Sequence, residues 1–240
     1  VVVGDKANRL DAGIDDHGLS FAKNGVALVV AGNSVYSQLG MPVHVFDELS
    51  RTIDLAKLPP DLKTPEGKLG KPGTTLWFSQ LIHLTDNPTH KEQPKEGQVI
   101  GWWAGIKMTI TGGWFGRNAN SRFWGVEFPK KDSAVAVTYG QTVFLVQKVE
   151  YTTTGAITSL WVNPTPALDG KATAPSEPPD VVQFKADAYT FDRITYSFSC
   201  EGNFDEIRIG TGYYDVAPGK PAGPATAPPA PPAPPAPPAK

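Results

Sequence analysis

Short β-branched and aromatic runs, each closed by Gly, Pro, Asn or Asp, recur along most of the chain, and this restricts it to an all-β fold. Residues 26–31 form a continuous apolar run broken by Gly32-Asn33-Ser34. Residues 74–84 are long enough for a full strand, and the polar stretch 85–97 follows as a loop. Residues 99–110 read as a strand, with Gly101 and Gly105 where a bend or a close backbone approach is expected. Residues 123–128 give a shorter strand. Residues 142–151 alternate, with Val143, Leu145 and Gln147 set against Phe144, Val146 and Lys148. Gly155 turns the chain into residues 157–162, which Asn163-Pro164 ends. The last strands are residues 191–199 and 204–209, joined at Glu201-Gly202-Asn203. One helix candidate spans residues 46–55, but its second half, 51–55, reads better as a strand. Many short strands with almost no helix predict a two-layer antiparallel β-sandwich, a jelly roll.

The composition changes near Pro218, where Pro-Gly-Lys-Pro gives way to repeated Pro-Pro-Ala units ending at Lys240. The expected division is a sandwich over residues 1–217 and an extended tail over 218–240. Proline fixes φ and lacks an N–H, so the tail is expected to stay out of any ladder and to adopt polyproline II. At ~3.1 Å per residue it would reach on the order of 60–70 Å. Pro228, Pro229, Pro231, Pro232, Pro234, Pro235, Pro237 and Pro238 form either an idle spacer or a docking peptide for an aromatic groove on a neighbouring chain.

Charge narrows the partners. With 22 basic and 24 acidic residues the net charge is -2, and no basic stripe exists to meet phosphates, so nucleic acid is not an expected partner. No apolar run approaches the ~20 residues of a membrane span. The one cysteine, Cys200, cannot form an internal disulfide. It follows the alternating run 194–198, which suits a buried small hydrophobe, with an intermolecular disulfide as the alternative. The chain opens on Val1, as a chain whose signal peptide has been removed would.

The end of the body reads Phe204-Asp205-Glu206-Ile207-Arg208-Ile209-Gly210-Thr211. Period-two alternation would place Asp205, Ile207 and Ile209 on one face and Phe204, Glu206 and Arg208 on the other. A same-face Glu–Arg pair suits a structural ion pair. This stretch resembles the closing strand of concanavalin A-like, laminin-G-like jelly-roll domains of the lectin/glucanase superfamily. Residues 73–79, 103–106, 143–149 and 159–164 are similar, in the same order, to earlier strands of its secreted bacterial members. The resemblance covers roughly residues 19–216 and leaves the tail outside. It implies a secreted, extracellular or cell-surface location in a bacterium. It also implies a calcium ion on Asp205 or Glu206, with Asn203 and Glu201 near, although calcium requires six to eight oxygens.

Catalytic patterns are missing. Related glucanases place paired carboxylates on one strand face in a Glu-x-Asp-x-x-Glu run, and retaining chemistry needs them about 5–5.5 Å apart. No such run is present. Asp205 and Glu206 are adjacent and would face opposite ways. Glu201 and Asp205 are separated by a turn. No Gly-x-Ser-x-Gly occurs. His17, His44, His83 and His90 are scattered, and His83 and His90 flank Asp86 without a recognised metal spacing. Trp114-Phe115, followed by Arg117, Asn118 and Asn120, reads as a loop aromatic beside amides. That suits stacking on a sugar ring, a subunit contact, or plain loop packing.

Three functions fit these residues: a non-enzymatic structural or adhesive subunit of an extracellular assembly, a carbohydrate-binding module, and a diverged glycoside hydrolase. The first is preferred because of the tail. Its expected partners are copies of the chain itself or other surface proteins, and glycans for the second. Val1-Val2-Val3 could add as a strand to a neighbour's sheet edge, or pair within its own sheet.

Overall fold

In the computed structural model, the residues described are 12–15, 18–37, 47–85, 104–108, 113–117, 121–127, 129–198 and 200–223. Val1–Val3, His17, His44, Asp86, His90, Trp102, Trp103, Asn118, Asn120 and the prolines from Pro228 to Pro238 lie outside them.

The fold is all-β and antiparallel. A seven-stranded sheet runs in the order β1 (Ala12–Asp15), β4 (Ser34–Ser37), β15 (Gly202–Gly210), β6 (Thr75–Leu84), β11 (Thr142–Thr152), β12 (Gly155–Val162), β13 (Val181–Ala186). A six-stranded sheet runs β10 (Lys131–Ala136), β9 (Phe123–Glu127), β8 (Trp114–Arg117), β7 (Ala104–Lys107), β14 (Arg193–Phe198), β5 (Asp47–Thr52). A small third sheet joins β16 (Gly219–Pro221), β3 (Val26–Leu28) and β2 (Ala22–Lys23). Among the described residues no helix is long and apolar enough to cross a membrane.

The sandwich core follows from strand alternation. β6 turns Leu76, Phe78, Ile82 and Leu84 to one face, and β11 does the same with Val143, Leu145, Val149 and Tyr151. They meet Ala104, Ile106, Phe115, Trp124 and Val126 of the six-stranded sheet. Both faces of β6 and β11 are apolar, so a second core forms on the outer side of the seven-stranded sheet. Trp77, Leu81, Phe144, Val146 and Trp161 pack there against Leu28, Ala167, Tyr213, Val216 and Ala217. The third sheet and the short helix Tyr213–Val216 therefore act as a partial extra layer over a two-layer sandwich.

Several expectations need correction. Residues 51–55 are not one strand: β5 ends at Thr52 and a 3-10 turn runs over Leu55–Lys57. The ladder also continues past the compositional break at Pro218, since β16 pairs with β3. Proline loses only its own N–H. The Pro218 carbonyl still accepts from Val29 N at 2.8 Å, and Ala222 N donates to Gly25 O at 2.8 Å.

The alternation in β15 is broken by a β-bulge. Asp205 opposes Leu81 but Arg208 opposes Ser79, so three steps on β15 match two on β6. Glu206 carries the extra residue, with left-handed backbone at φ 52°. Phe204 and Ile209 consequently oppose Ile82 and Phe78 on the inner face, whereas unbroken alternation had separated them. Arg208 joins Asp205 on the outer face, and Ile207 is left 38% exposed.

Candidate functional site

Trp114, Phe115 and Arg117 do not lie in a loop. They form β8, and all three are buried. Phe115 enters the sandwich core and stacks obliquely on Phe78, with centroids 6.5 Å apart. Arg117 shares that inner face. Its Nη1 donates to Tyr139 Oη at 2.7 Å and approaches Cys200 Sγ at 3.6 Å, and its Nε donates to Ser121 O at 3.3 Å. Cys200 is fully buried and not in a disulfide, as a small core residue should be. The loop-aromatic expectation is thus corrected: all three side chains sit on a strand, Phe115 enters the core, Trp114 is buried on the other face of β8, and the guanidinium is satisfied internally. Gly116 at φ 152° and Gly105 opposite it make this possible. A Cβ on Gly116 would stand 2.2 Å from Ala104 O, so the two strands approach too closely for any side chain there.

Asp205 and Glu206 act as a strap. Asp205 Oδ2 accepts from Leu19 N and Oδ1 from Glu206 N, both at 2.8 Å. Glu206 Oε1 accepts from Ala31 N, and Oε2 from Arg208 Nη2, which also donates to Val29 O. Each carboxylate oxygen therefore faces an N–H donor, three of them from backbone and one from Arg208. Burial pushes the Asp205 carboxyl pKa up. The N–H groups of Leu19 and Glu206 act in the opposite direction, and the Glu206 charge adds to the rise.

A second hub forms at Glu177, on the connection between β12 and β13. Its carboxylate meets Lys23 Nζ at 2.9 Å, Thr165 Oγ1 at 2.7 Å and Ser176 Oγ at 3.0 Å. Burial raises its pKa, but hydrogen bonds from Thr165, Lys23, its own backbone and Ser176 outweigh this and bring it to about 2. Beside it, Trp161 Nε1 donates to Glu177 O at 2.9 Å. Trp161 stacks on Trp77 with centroids 5.5 Å apart.

Among the described residues, the third layer leaves one end of the outer face bare. There the register lines up two rows, Lys148–Ser159–Val182 and Glu150–Ile157–Phe184. Val182 is 47% and Phe184 53% exposed. Lys148 lies over the Trp77 ring at 5.8 Å and pairs with Glu150 at 2.9 Å. The result is an apolar strip with one base and one acid beside it. The open edge of β13 is guarded: Lys131 Nζ donates to Val182 O at 2.7 Å, and Gln183 Nε2 to Pro129 O at 2.5 Å. A Lys placed on an edge strand is a standard block to strand addition. Sequence reasoning missed β13, although Val182 and Phe184 alternate with Gln183 and Lys185 just after Pro178-Pro179.

His83 sits on β6 with Nδ1 3.3 Å from Thr142 Oγ1. No group of three or more His, Cys, Asp or Glu side chains suited to a metal occurs among the described residues.

No family model matches the chain, and no curated protein matches it. Among solved structures it is similar to a bifunctional GH43-CE protein of Bacteroides eggerthii, with TM-score 0.32 and 11% identity over 82% of this chain. The match spans 27% of that protein, so this chain corresponds to about a quarter of its length. It is also similar to domain 4 of AbnA, an extracellular GH43 arabinanase from Geobacillus stearothermophilus solved with arabinotriose. That match has TM-score 0.28 and 12% identity, and covers 86% of this chain and 87% of that one. At these TM-scores neither likeness bears on what this chain does.

Proposed function

We propose that the protein is a non-enzymatic extracellular or cell-surface binding module, a structural or adhesive part of an assembly, that docks a protein partner on the bare end of its outer sheet face. The observation that carries this reading is the pair Val182 and Phe184, half exposed side by side on one face of β13. Two large apolar side chains held on a rigid strand, with Ile157 beneath and the Lys148–Glu150 pair at the rim, have the composition of an interface patch. The partner is another copy of the chain or another surface protein. Because the edge of β13 is guarded by Lys131, the docking uses the face of the sheet rather than an added strand. A concanavalin A-like, laminin-G-like family membership is part of the same proposal. It rests on the order of strand motifs in the sequence, as does the secreted location.

Carbohydrate binding is the second reading, favoured by Phe184 itself. An exposed ring on β13, two strands from Lys148 and Glu150 on the same face, offers a stacking surface with hydrogen-bonding groups across the strip. Analytical ultracentrifugation of the full chain at increasing concentration, alone and mixed with extracts of the cell surface, compared with Phe184→Asp, tests the first reading. Association lost in the variant supports it, and a monomer that captures no protein in either form ends it. A glycan array on the same two proteins tests the second, with Phe184-dependent signal as the supporting result.

A further inference from the structure

The sandwich core contains two glutamines that ordinary packing does not explain. Gln80 lies on the inner face of β6 and Gln147 on the inner face of β11, and both are fully buried. Gln80 opposes Leu145 and Gln147 opposes Phe78, so the two carboxamides are diagonal neighbours across adjacent strands. Diagonal pairs on one sheet face lie about 7–8 Å apart at Cα, within reach of long side chains. Gln80 Nε2 donates to Phe115 O at 3.0 Å, which ties the seven-stranded sheet to the six-stranded one. Gln80 Oε1 and both Nε2 and Oε1 of Gln147 have no hydrogen-bond partner among the described residues. Trp124 Nε1, in the same core cluster, is also without one.

Buried carboxamides without partners are strongly disfavoured. Their cross-strand neighbours, Leu145 opposite Gln80 and Phe78 opposite Gln147, supply no side-chain donor or acceptor. Ordered water inside proteins occurs about once per 27 residues and makes about three hydrogen bonds to such groups. We propose that the core binds ordered water between Gln80 and Gln147, bridging Gln80 Oε1 to the Gln147 carboxamide. The site is a polar seam among the apolar side chains of β6 and β11. It would fix how the two sheets sit on each other, because an apolar face can slide where a bridged carboxamide cannot. The inference is independent of the docking proposal.

A crystal structure of the wild-type chain that resolves internal water tests it directly, alongside oxygen-17 relaxation dispersion in solution on wild type and Gln147→Leu. The expected result is density for water within hydrogen-bond distance of Gln80 Oε1 and Gln147. At least one long-lived water should also disappear in the variant. Two carboxamides bonded reciprocally to each other with no water between them would overturn it. An unchanged relaxation dispersion in a folded Gln147→Leu would do the same. Should that variant not fold, the wild-type density alone decides.

Discussion

The two faces of the seven-stranded sheet are covered in different ways. The inner face meets a sheet of six strands, each four to six residues long, and the contact is made largely by apolar side chains such as Phe78, Phe115 and Trp124. The outer face meets strands of two and three residues and one short helix. Strands that short hold little by their own ladder. The outer layer is therefore pinned by side chains that seize its backbone: Asp205 on Leu19, Glu206 on Ala31, and Ser79 Oγ on Val216 O at 2.8 Å. Glu177 adds side-chain anchors, holding Lys23 Nζ and Thr165 Oγ1. The two large sheets meet over a broad complementary surface, with Gln80 on Phe115 O as a polar tie. Fragments of sheet need specific polar anchors, and cover no more of the face than the anchors reach.

That contrast can be broken by mutation. The largest effect belongs to the inner core: Phe115→Ala should cost about 3–5 kcal/mol, read as a lowered urea midpoint with unchanged slope. Asp205→Ala comes next, at about 1.5–3 kcal/mol, because hydrogen bonds to a buried charge are lost. Its signature should differ in kind. Amide exchange should accelerate in residues 18–31 while β6 and β11 stay protected, a local opening rather than a global one. Equal acceleration everywhere would show that the outer layer and the sandwich are one cooperative unit.

Acid should sharpen the comparison further. Glu177 has a folded pKa of about 2, below an ordinary unfolded glutamate near ~4.3. Its stabilisation is present above ~4.5 and lost as pH falls through about 2. Asp205 has the opposite sign. Its folded pKa is raised, so its contribution is complete below the unfolded value of ~3.9 and declines as pH rises through the folded one. Glu177→Gln should flatten the fall in Tm between pH ~4.5 and ~2, and Asp205→Asn should leave that fall in place. The smallest effect is expected at the bare end of the outer face. Phe184→Ala should change stability by less than about 0.5 kcal/mol, so a larger loss of Tm would show that the strip belongs to the core.

Much of the fold was legible. β6, β9, β11, β12, β14 and β15 fall within a residue or two of the runs seen in the sequence, because their length and alternation carry the signal. Trp77 and Trp161 fall inside runs legible as strands, but nothing in the sequence marks them as a stacked pair on the second face. β10 was not legible, and β13 left only a short alternation that was missed. Lys131-Asp132-Ser133 and Gln183-Phe184-Lys185 are too polar to stand out, since edge strands bury only one flank. The candidate site was less legible still. Trp114 read as a loop residue because Gly112-Gly113 precedes it, and the strip at Val182 and Phe184 exists only once β13 is placed beside β12.

By itself the sequence determined the class of fold. Residue type and spacing decide which segments can be strands, and therefore that the chain must layer sheets to hide their apolar sides. Only the tertiary structure decided what each face meets. One extra residue at Glu206 reverses the outlook of everything after it in β15. Nothing in local composition distinguishes a carboxylate that anchors a neighbouring backbone from one free to bind a cation. These are properties of register and of distant segments brought together, such as Leu19 against Asp205, and no local pattern records them.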